Sequence, residues 1–123
     1  NSERISLLNS IVHPFIYEEM EKQLEQYKDA PIIVLDAPLL IEAGLYKRCD
    51  KVMLVISSEE IRILRAIKRS NLSKLEVQKR IERQLSDEER KQYAHYIIDN
   101  EGTIDETLKQ IDEILKELNY EQK

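Results

Sequence analysis

The sequence predicts an α/β fold: a short parallel sheet flanked by helices. Three observations carry that prediction. Ile32-Ile33-Val34-Leu35 is an unbroken apolar run ending at Asp36, and Lys51–Ile56 is a second such run. Runs without polar alternation read as strands buried on both faces, the habit of parallel sheets. Between them lies enough chain for a crossover rather than a hairpin, which favours parallel pairing. Beyond residue 56, helix starts are marked four times by capping-box spacing: Ser57 with Glu60, Ser73 with Glu76, Ser86 with Glu89, and Thr103 with Glu106.

The elements follow in order. Residues 4–12 read as a short helix with Ile5, Leu8 and Val12 on one face. His13-Pro14 is expected to break it, because a residue before proline avoids the α region. Pro14 then suits the first turn of a second helix to about Gln26, burying Ile16, Met20 and Leu24. Its other face carries Glu18, Glu19, Glu21, Lys22 and Glu25, a solvated face. Tyr27 to Pro31 is a polar loop. After the 32–36 strand, Pro38 stops the ladder, and Leu39 to Leu45 is loosely helical and closed by Gly44. Glu42 within it is either solvated or in reach of a ligand at the strand end. Helices are expected over 58–69, 74–84, 87–93 and 104–118, with a short strand at Tyr96-Ile97-Ile98. The last helix is expected to bury Ile104, Leu108, Ile111, Leu115 and Leu118, and residues 119–123 to fray. The whole, residues 1–123, reads as one domain: a helical region over 1–30, sheet and core over 31–58 and 95–118, and helices over 59–94.

Composition narrows the function. The chain has 123 residues, 35% of them charged, and a net charge of −5. That balance argues against general nucleic-acid binding. No apolar run approaches the ~20 residues of a membrane span, and the N-terminus does not resemble a signal peptide. The single cysteine, Cys49, excludes an internal disulfide framework and a cysteine-based zinc site. A cytoplasmic protein is expected. Gly44 and Gly102 are the only glycines. A phosphate-cradling loop needs glycines at set offsets before Gly-Lys-Ser/Thr, and a dinucleotide fingerprint needs three close together. Neither can be written here, so if the protein handles a nucleotide, its phosphate loop is outside this chain.

Three places could carry chemistry. Asp36 falls where a buried strand meets a loop, the end of an α/β sheet where ligands bind. A carboxylate there either holds Mg²⁺ or a water on it, or caps its own turn. Arg62, Arg65 and Arg69 share a helix face, and Arg80, Arg83 and Arg90 follow on the next two helices. Arginine forks bind phosphate oxygens in pairs, so this is either a lid over polyphosphate or a solvated face paired with Glu59, Glu60 and Glu82. The Asp99-Asn100-Glu101-Gly102 turn is either a ledge for a base or ribose or an ordinary turn into the last helix. His13 reads as a structural histidine or a functional one.

Taken together these segments resemble the dephospho-CoA kinase family. Leu35-Asp36-Ala37-Pro38-Leu39-Leu40-Ile41-Glu42-Ala43-Gly44-Leu45 looks like its Asp-x-Pro-Leu-Leu-(Phe/Ile)-Glu-x-Gly-Leu segment. Arg65, Arg69, Leu72-Ser73, Arg80-Ile81 and Gln84 follow its order and spacing, and Ile98-Asp99-Asn100-Glu101-Gly102 looks like its Ile-Asp-Asn-x-Gly segment. Asn9 to Ile16 resembles the helix leading to its acceptor-binding region. The resemblance implies a P-loop nucleotide-kinase three-layer fold with a helical lid. It implies transfer of the ATP γ-phosphate to the ribose 3′-hydroxyl of dephospho-CoA, the last step of CoA synthesis. Asp36 would lie near Mg²⁺ and the reacting phosphates, with Arg65 and Arg69 on the lid side and Arg69 nearer the ATP phosphates. Asn100 and Gly102 would sit beside the adenine, and His13 and Pro38-Leu39-Leu40 would face dephospho-CoA.

The sequence departs from that pattern. The family's Gly-rich loop, its strand and the aspartate after it belong upstream of Asn1. The expectation is therefore a C-terminal piece, inactive alone, whose exposed sheet edges pair into a homo-oligomer. Position 95 is His where the family usually has Asp, and position 90 is Arg where Lys is common. Two other readings stand beside this one: another P-loop nucleotide kinase, and a non-catalytic helical interaction module.

Overall fold

The computed structural model describes residues 2–118, apart from the side chains of Ser2, Ile5 and Asn9. Those three side chains, among them Ile5 of the expected apolar face, and the expected frayed end at 119–123 lie outside the described residues. The chain divides into two compact units, Asn1–Leu35 and Asp36–Lys123.

The first unit is dominated by α1, Ser2–Gln26, which runs straight through Pro14. The expected break at His13-Pro14 does not occur. A proline at this position removes one N–H and crowds the carbonyl four residues back, that of Ser10, at a cost of about 3 kcal/mol. The turn around it, Ser10 to Phe15, is exposed, so the carbonyl left without its helical donor is open to solvent. Of the expected buried stripe, Met20 is buried and Leu24 half-buried, while Leu8, Val12 and Ile16 are exposed. Gln23 and Lys28 bond to Glu19 and Glu25, partners three or four positions back along the chain.

The expected strand at Ile32–Asp36 is not formed. The segment has no regular secondary structure and is unpaired among the described residues, and Val34 is 81% exposed. A strand exists only by hydrogen bonds to a neighbour, and an apolar run cannot supply that neighbour itself.

The second unit holds the sheet. β1, Met53–Ile56, and β2, Tyr96–Asp99, pair in parallel, with Leu54 opposite Ile97 and Val55 opposite Ile98. Neighbours in register share a face, so the two buried strand residues, Leu54 and Ile98, point to opposite sides. Helices α5 (Ile104–Glu117) against β2 and α4 (Asp87–Lys91) against β1 build the layers. β1 is not buried on both faces as its apolar run suggested: Met53 and Val55 remain exposed, as does Ile97 of β2.

Between the strands, α2 (Glu59–Ser70) and α3 (Lys74–Glu82) form a helical hairpin. Asn71 takes the left-handed conformation that ends α2 and donates its N–H to Ile67 O, 3.1 Å. Helix starts fall close to expectation. Ser73, Ser86 and Thr103 each accept the N–H of the residue three positions on. Among the described residues, Thr103 alone completes the reciprocal box, with Glu106. The cap of α2 is Ser58, one residue past the expected Ser57.

The packed stripe of α5 also differs from the expected one. Ile114 is buried and Thr107, Gln110, Ile111 and Leu115 are half-buried, whereas Ile104 is 79% exposed and Leu108 and Leu118 are exposed. Two polar residues lie on the inward side because they have partners there, which the apolar spacing could not show. A 3-10 turn, Leu45–Arg48, follows Gly44, whose φ of 75° lets the chain turn where an L-side chain is strained.

Candidate functional site

Parallel strands end at the same side of a sheet, and here β1 and β2 deliver Ile56 and Asp99 to a common edge. Beyond them, the Ser57-Ser58 link and the 99–102 turn are tied together. Asn100 N–H donates to Ile56 O, 2.8 Å, extending the ladder one step. Ser58 N–H, at the start of α2, donates to the Glu101 carboxylate, 2.5 Å. A carboxylate at a helix N-terminus meets unpaired N–H groups and the positive end of the helix dipole.

Arg65 reaches the same turn. Its Nη1 donates to Asn100 O, 2.7 Å, so Arg65 and Asn100, both expected at the site, are brought together. From α5, Thr107 Oγ1 donates to Asn100 Oδ1, 2.7 Å. Gln110 brackets Asp99: its Oε1 accepts the Asp99 N–H at 2.9 Å and its Nε2 donates to Asp99 O at 2.8 Å. Asp99 Oδ1 accepts Glu101 N–H at 2.8 Å, an Asx turn that sets the bend. Sequence reasoning missed Ser58, Thr107 and Gln110, and placed Glu101 in the turn without its bond to Ser58. The available signal was two polar residues, Thr107 and Gln110, spaced with Ile111 and Ile114 on one helix face.

Gly102 has a local task. A Cβ there would collide with Glu106 Oε2, the oxygen that accepts Thr103 N–H in the capping box. Glycine leaves room for that carboxylate.

The arginines between residues 62 and 90 separate into three groups. Arg62 and Arg90 both approach Asp87, Arg62 at 3.8 Å, with the Arg90 side chain only 12% exposed. Arg62 thereby ties α2 to α4, and Arg90 closes a pair within α4, instead of both joining a free face with the neighbouring glutamates. Each keeps a buried Nε without a partner among the described residues. Arg65 is held at the turn. Arg69, Arg80 and Arg83 are exposed, with no side-chain hydrogen bond or ion pair among the described residues. Of these arginines, those three are available to a ligand.

Asp36 is exposed and unpaired among the described residues, and nothing ties it to Arg65 or Arg69. Pro38, Leu39 and Leu40 begin the turn that leads to Gly44. Glu42 is half-buried, with Oε2 buried and unpartnered among the described residues, so it is not the solvated residue its position suggested. His13 lies exposed on α1. At the opposite end of the sheet, His95 Nδ1 accepts Val52 N–H, 3.0 Å, while His95 N–H donates to Val52 O, 2.9 Å. An accepting Nδ1 places the ring proton on Nε2. Cys49 donates to Leu45 O; burial and the neighbouring Asp50 push its thiol pKa up, with Arg48 opposing.

A parallel strand pair, helices packed on the strands, a helical hairpin and a turn at the strands' carboxyl ends define an α/β protein whose carboxyl strand edge is a ligand-binding position. A family model described as dephospho-CoA kinase matches residues 1–106, and the chain belongs to that family. It is 37% identical over 118 residues to the dephospho-CoA kinase of Aquifex aeolicus, covering 96% of this chain and 60% of that one. It is 40% identical over 121 residues to a dephospho-CoA kinase of Bacillus cereus, covering 97% of this chain and 60% of that one. Among solved structures, that of TT1252 from Thermus thermophilus superposes with a TM-score of 0.81 at 31% identity, covering 96% of this chain and 61% of that one. The chain thus spans about 60% of the length of the curated relatives it matches. No helix among the described residues is long and apolar enough to cross a membrane.

Proposed function

We propose that the protein transfers the ATP γ-phosphate to the ribose 3′-hydroxyl of dephospho-CoA, in the cytoplasm. One observation supports this reading most: Arg65, on the hairpin, is bonded to Asn100 at the carboxyl ends of two parallel strands, where α/β proteins bind nucleotides. In this reading the adenine rests on the 99–102 turn, beside Asn100 and Gly102. Arg65 steadies that ledge through the Asn100 carbonyl. Arg69, unpaired among the described residues and near the end of α2, is free to bond phosphate oxygens and stabilise charge on the transferring group. The Pro38-Leu39-Leu40 turn binds the acceptor.

Mg²⁺ is usually held by one or two carboxylates, substrate phosphates and several waters. No cluster of three or more acidic, histidine or cysteine residues that could hold a metal occurs among the described residues. Asp36, exposed and unpaired among them, suits the single-carboxylate arrangement, directly or through a water. Mg²⁺ bound there would neutralise phosphate charge.

The test is to incubate the full chain as the cell makes it with ATP, Mg²⁺ and dephospho-CoA, following CoA formation. CoA should appear, and Asp36→Asn and Arg69→Met should each lower kcat by about 10²-fold. Full rates in both variants would overturn these assignments. The 123-residue polypeptide alone should give no ATP-dependent product, because its sequence holds no Gly-rich phosphate loop. Among the described residues both strands of its sheet are edges, and we propose that such edges pair between copies. A monomeric light-scattering mass at all concentrations would contradict that.

A further inference from the structure

The polar groups of Asn100 can be accounted for one at a time. Its N–H donates to Ile56 O at 2.8 Å, and its carbonyl accepts from Arg65 at 2.7 Å. Its side-chain Oδ1 accepts from the Thr107 hydroxyl at 2.7 Å. What remains without a partner among the described residues is Nδ2, with its two N–H donors. An asparagine amide can present either its oxygen or its NH₂ by a half-turn about its last bond. Here the Thr107 hydroxyl bonds the oxygen, which leaves the NH₂ as the unengaged side of the amide.

We propose that Thr107 is a positioning residue for nucleotide selection. It holds the Asn100 amide by its oxygen, so that the NH₂ is the group the turn offers the base. A base edge carrying a ring-nitrogen acceptor is then favoured, and one carrying a donor at that point leaves two donors facing each other. This rests on the reading of the 99–102 turn as the base ledge. The backbone of the turn does not depend on the Thr107 hydroxyl. Gln110 holds Asp99 through both its N–H and its carbonyl, and Thr103 with Glu106 caps the helix. Removing the hydroxyl therefore frees the amide while leaving the loop in place.

The experiment compares Thr107→Val, Thr107→Ser and Asn100→Ala in the full chain. It measures kcat, KM for ATP and for GTP, and melting temperature. Thr107→Val should raise KM for ATP about five- to tenfold, one hydrogen bond's worth, with the loss on KM and not on kcat. Its preference for ATP over GTP should shrink, and its melting temperature should hold. Thr107→Ser, which keeps the hydroxyl, should return KM to within about twofold of the parent. If Thr107→Val does not fold, Thr107→Ala against Thr107→Ser makes the same comparison. An unchanged KM in the hydroxyl-free variant, with a raised KM in Asn100→Ala, overturns the role of Thr107 alone. A serine variant as impaired as the valine one also overturns it. An unchanged KM in Asn100→Ala removes the base ledge itself, and this proposal with it.

Discussion

In the unit that begins at Asp36, buried side chains come from every layer: Ile41, Val52, Leu54, Ile63, Val77, Ile98 and Ile114. In the unit that ends at Leu35, Met20 is the buried one among the described residues, while Leu7, Leu8, Ile11 and Phe15 face solvent. Hydrogen bonds divide the same way. Val52 to His95, Ser58 to Glu101 and Arg65 to Asn100 join residues 35 to 43 positions apart, whereas Gln23 and Lys28 bond three or four positions away. The second unit is stabilised by tertiary structure. The first is stabilised by the local helix, and an isolated helix is marginal in water. Function follows the same division: the candidate base site stands on the part whose geometry is fixed by distant partners.

The sharpest way to break this contrast is a pair of truncations read by urea denaturation. Ile98→Ala, at a fully buried position on β2, should cost about 2–5 kcal/mol. Phe15→Ala, 69% exposed on α1, should change stability by about 0.5 kcal/mol or less. Equal costs would mean that the apolar face of α1 is covered in solution and the contrast is false.

A second substitution probes the first unit alone. Pro14→Ala restores the N–H that Ser10 O lacks and should stabilise α1 by about 2 kcal/mol, the helix propensity gain less the extra freedom of the unfolded chain. Slower amide exchange over residues 10–18 would report it. No change there would show that α1 is already held by something other than its own helix.

A last substitution sharpens the contrast from the side of the second unit. His95→Ala should cost about 1–3 kcal/mol by leaving the N–H of buried Val52 without its acceptor. His95→Asp keeps an acceptor and should cost less. Equal losses would assign the effect to ring packing.

The contrast also explains which parts of the sequence were legible. Three helix starts were read to the residue because a cap is a local exchange between a hydroxyl and an N–H three positions on. The second unit's paired strands were legible as apolar runs, but the 32–36 run looked the same and is unpaired. Strand formation is decided by a neighbour, which periodicity does not encode. The inward face of α5 was misassigned because Thr107 and Gln110 look like surface residues until their partners at Asn100 and Asp99 are seen. Pro14 was overweighted: a statistical avoidance of the α region yielded to the helix on both sides. At the site, the Asp99–Gly102 motif and Arg65 were identified from their order, yet their mutual hydrogen bond was not. Arg62 and Arg90 were grouped with the free arginines because charge alone does not reveal that Asp87 holds both.

The central claim is that ATP binds where the parallel strands of the second unit end. Hydrogen–deuterium exchange of the full chain, with and without ATP, tests it most directly, since local opening is read amide by amide. ATP should slow exchange over residues 99–103 and 57–61 and leave residues 4–24 unchanged. Protection along 4–24 with no change at 99–103 would contradict it.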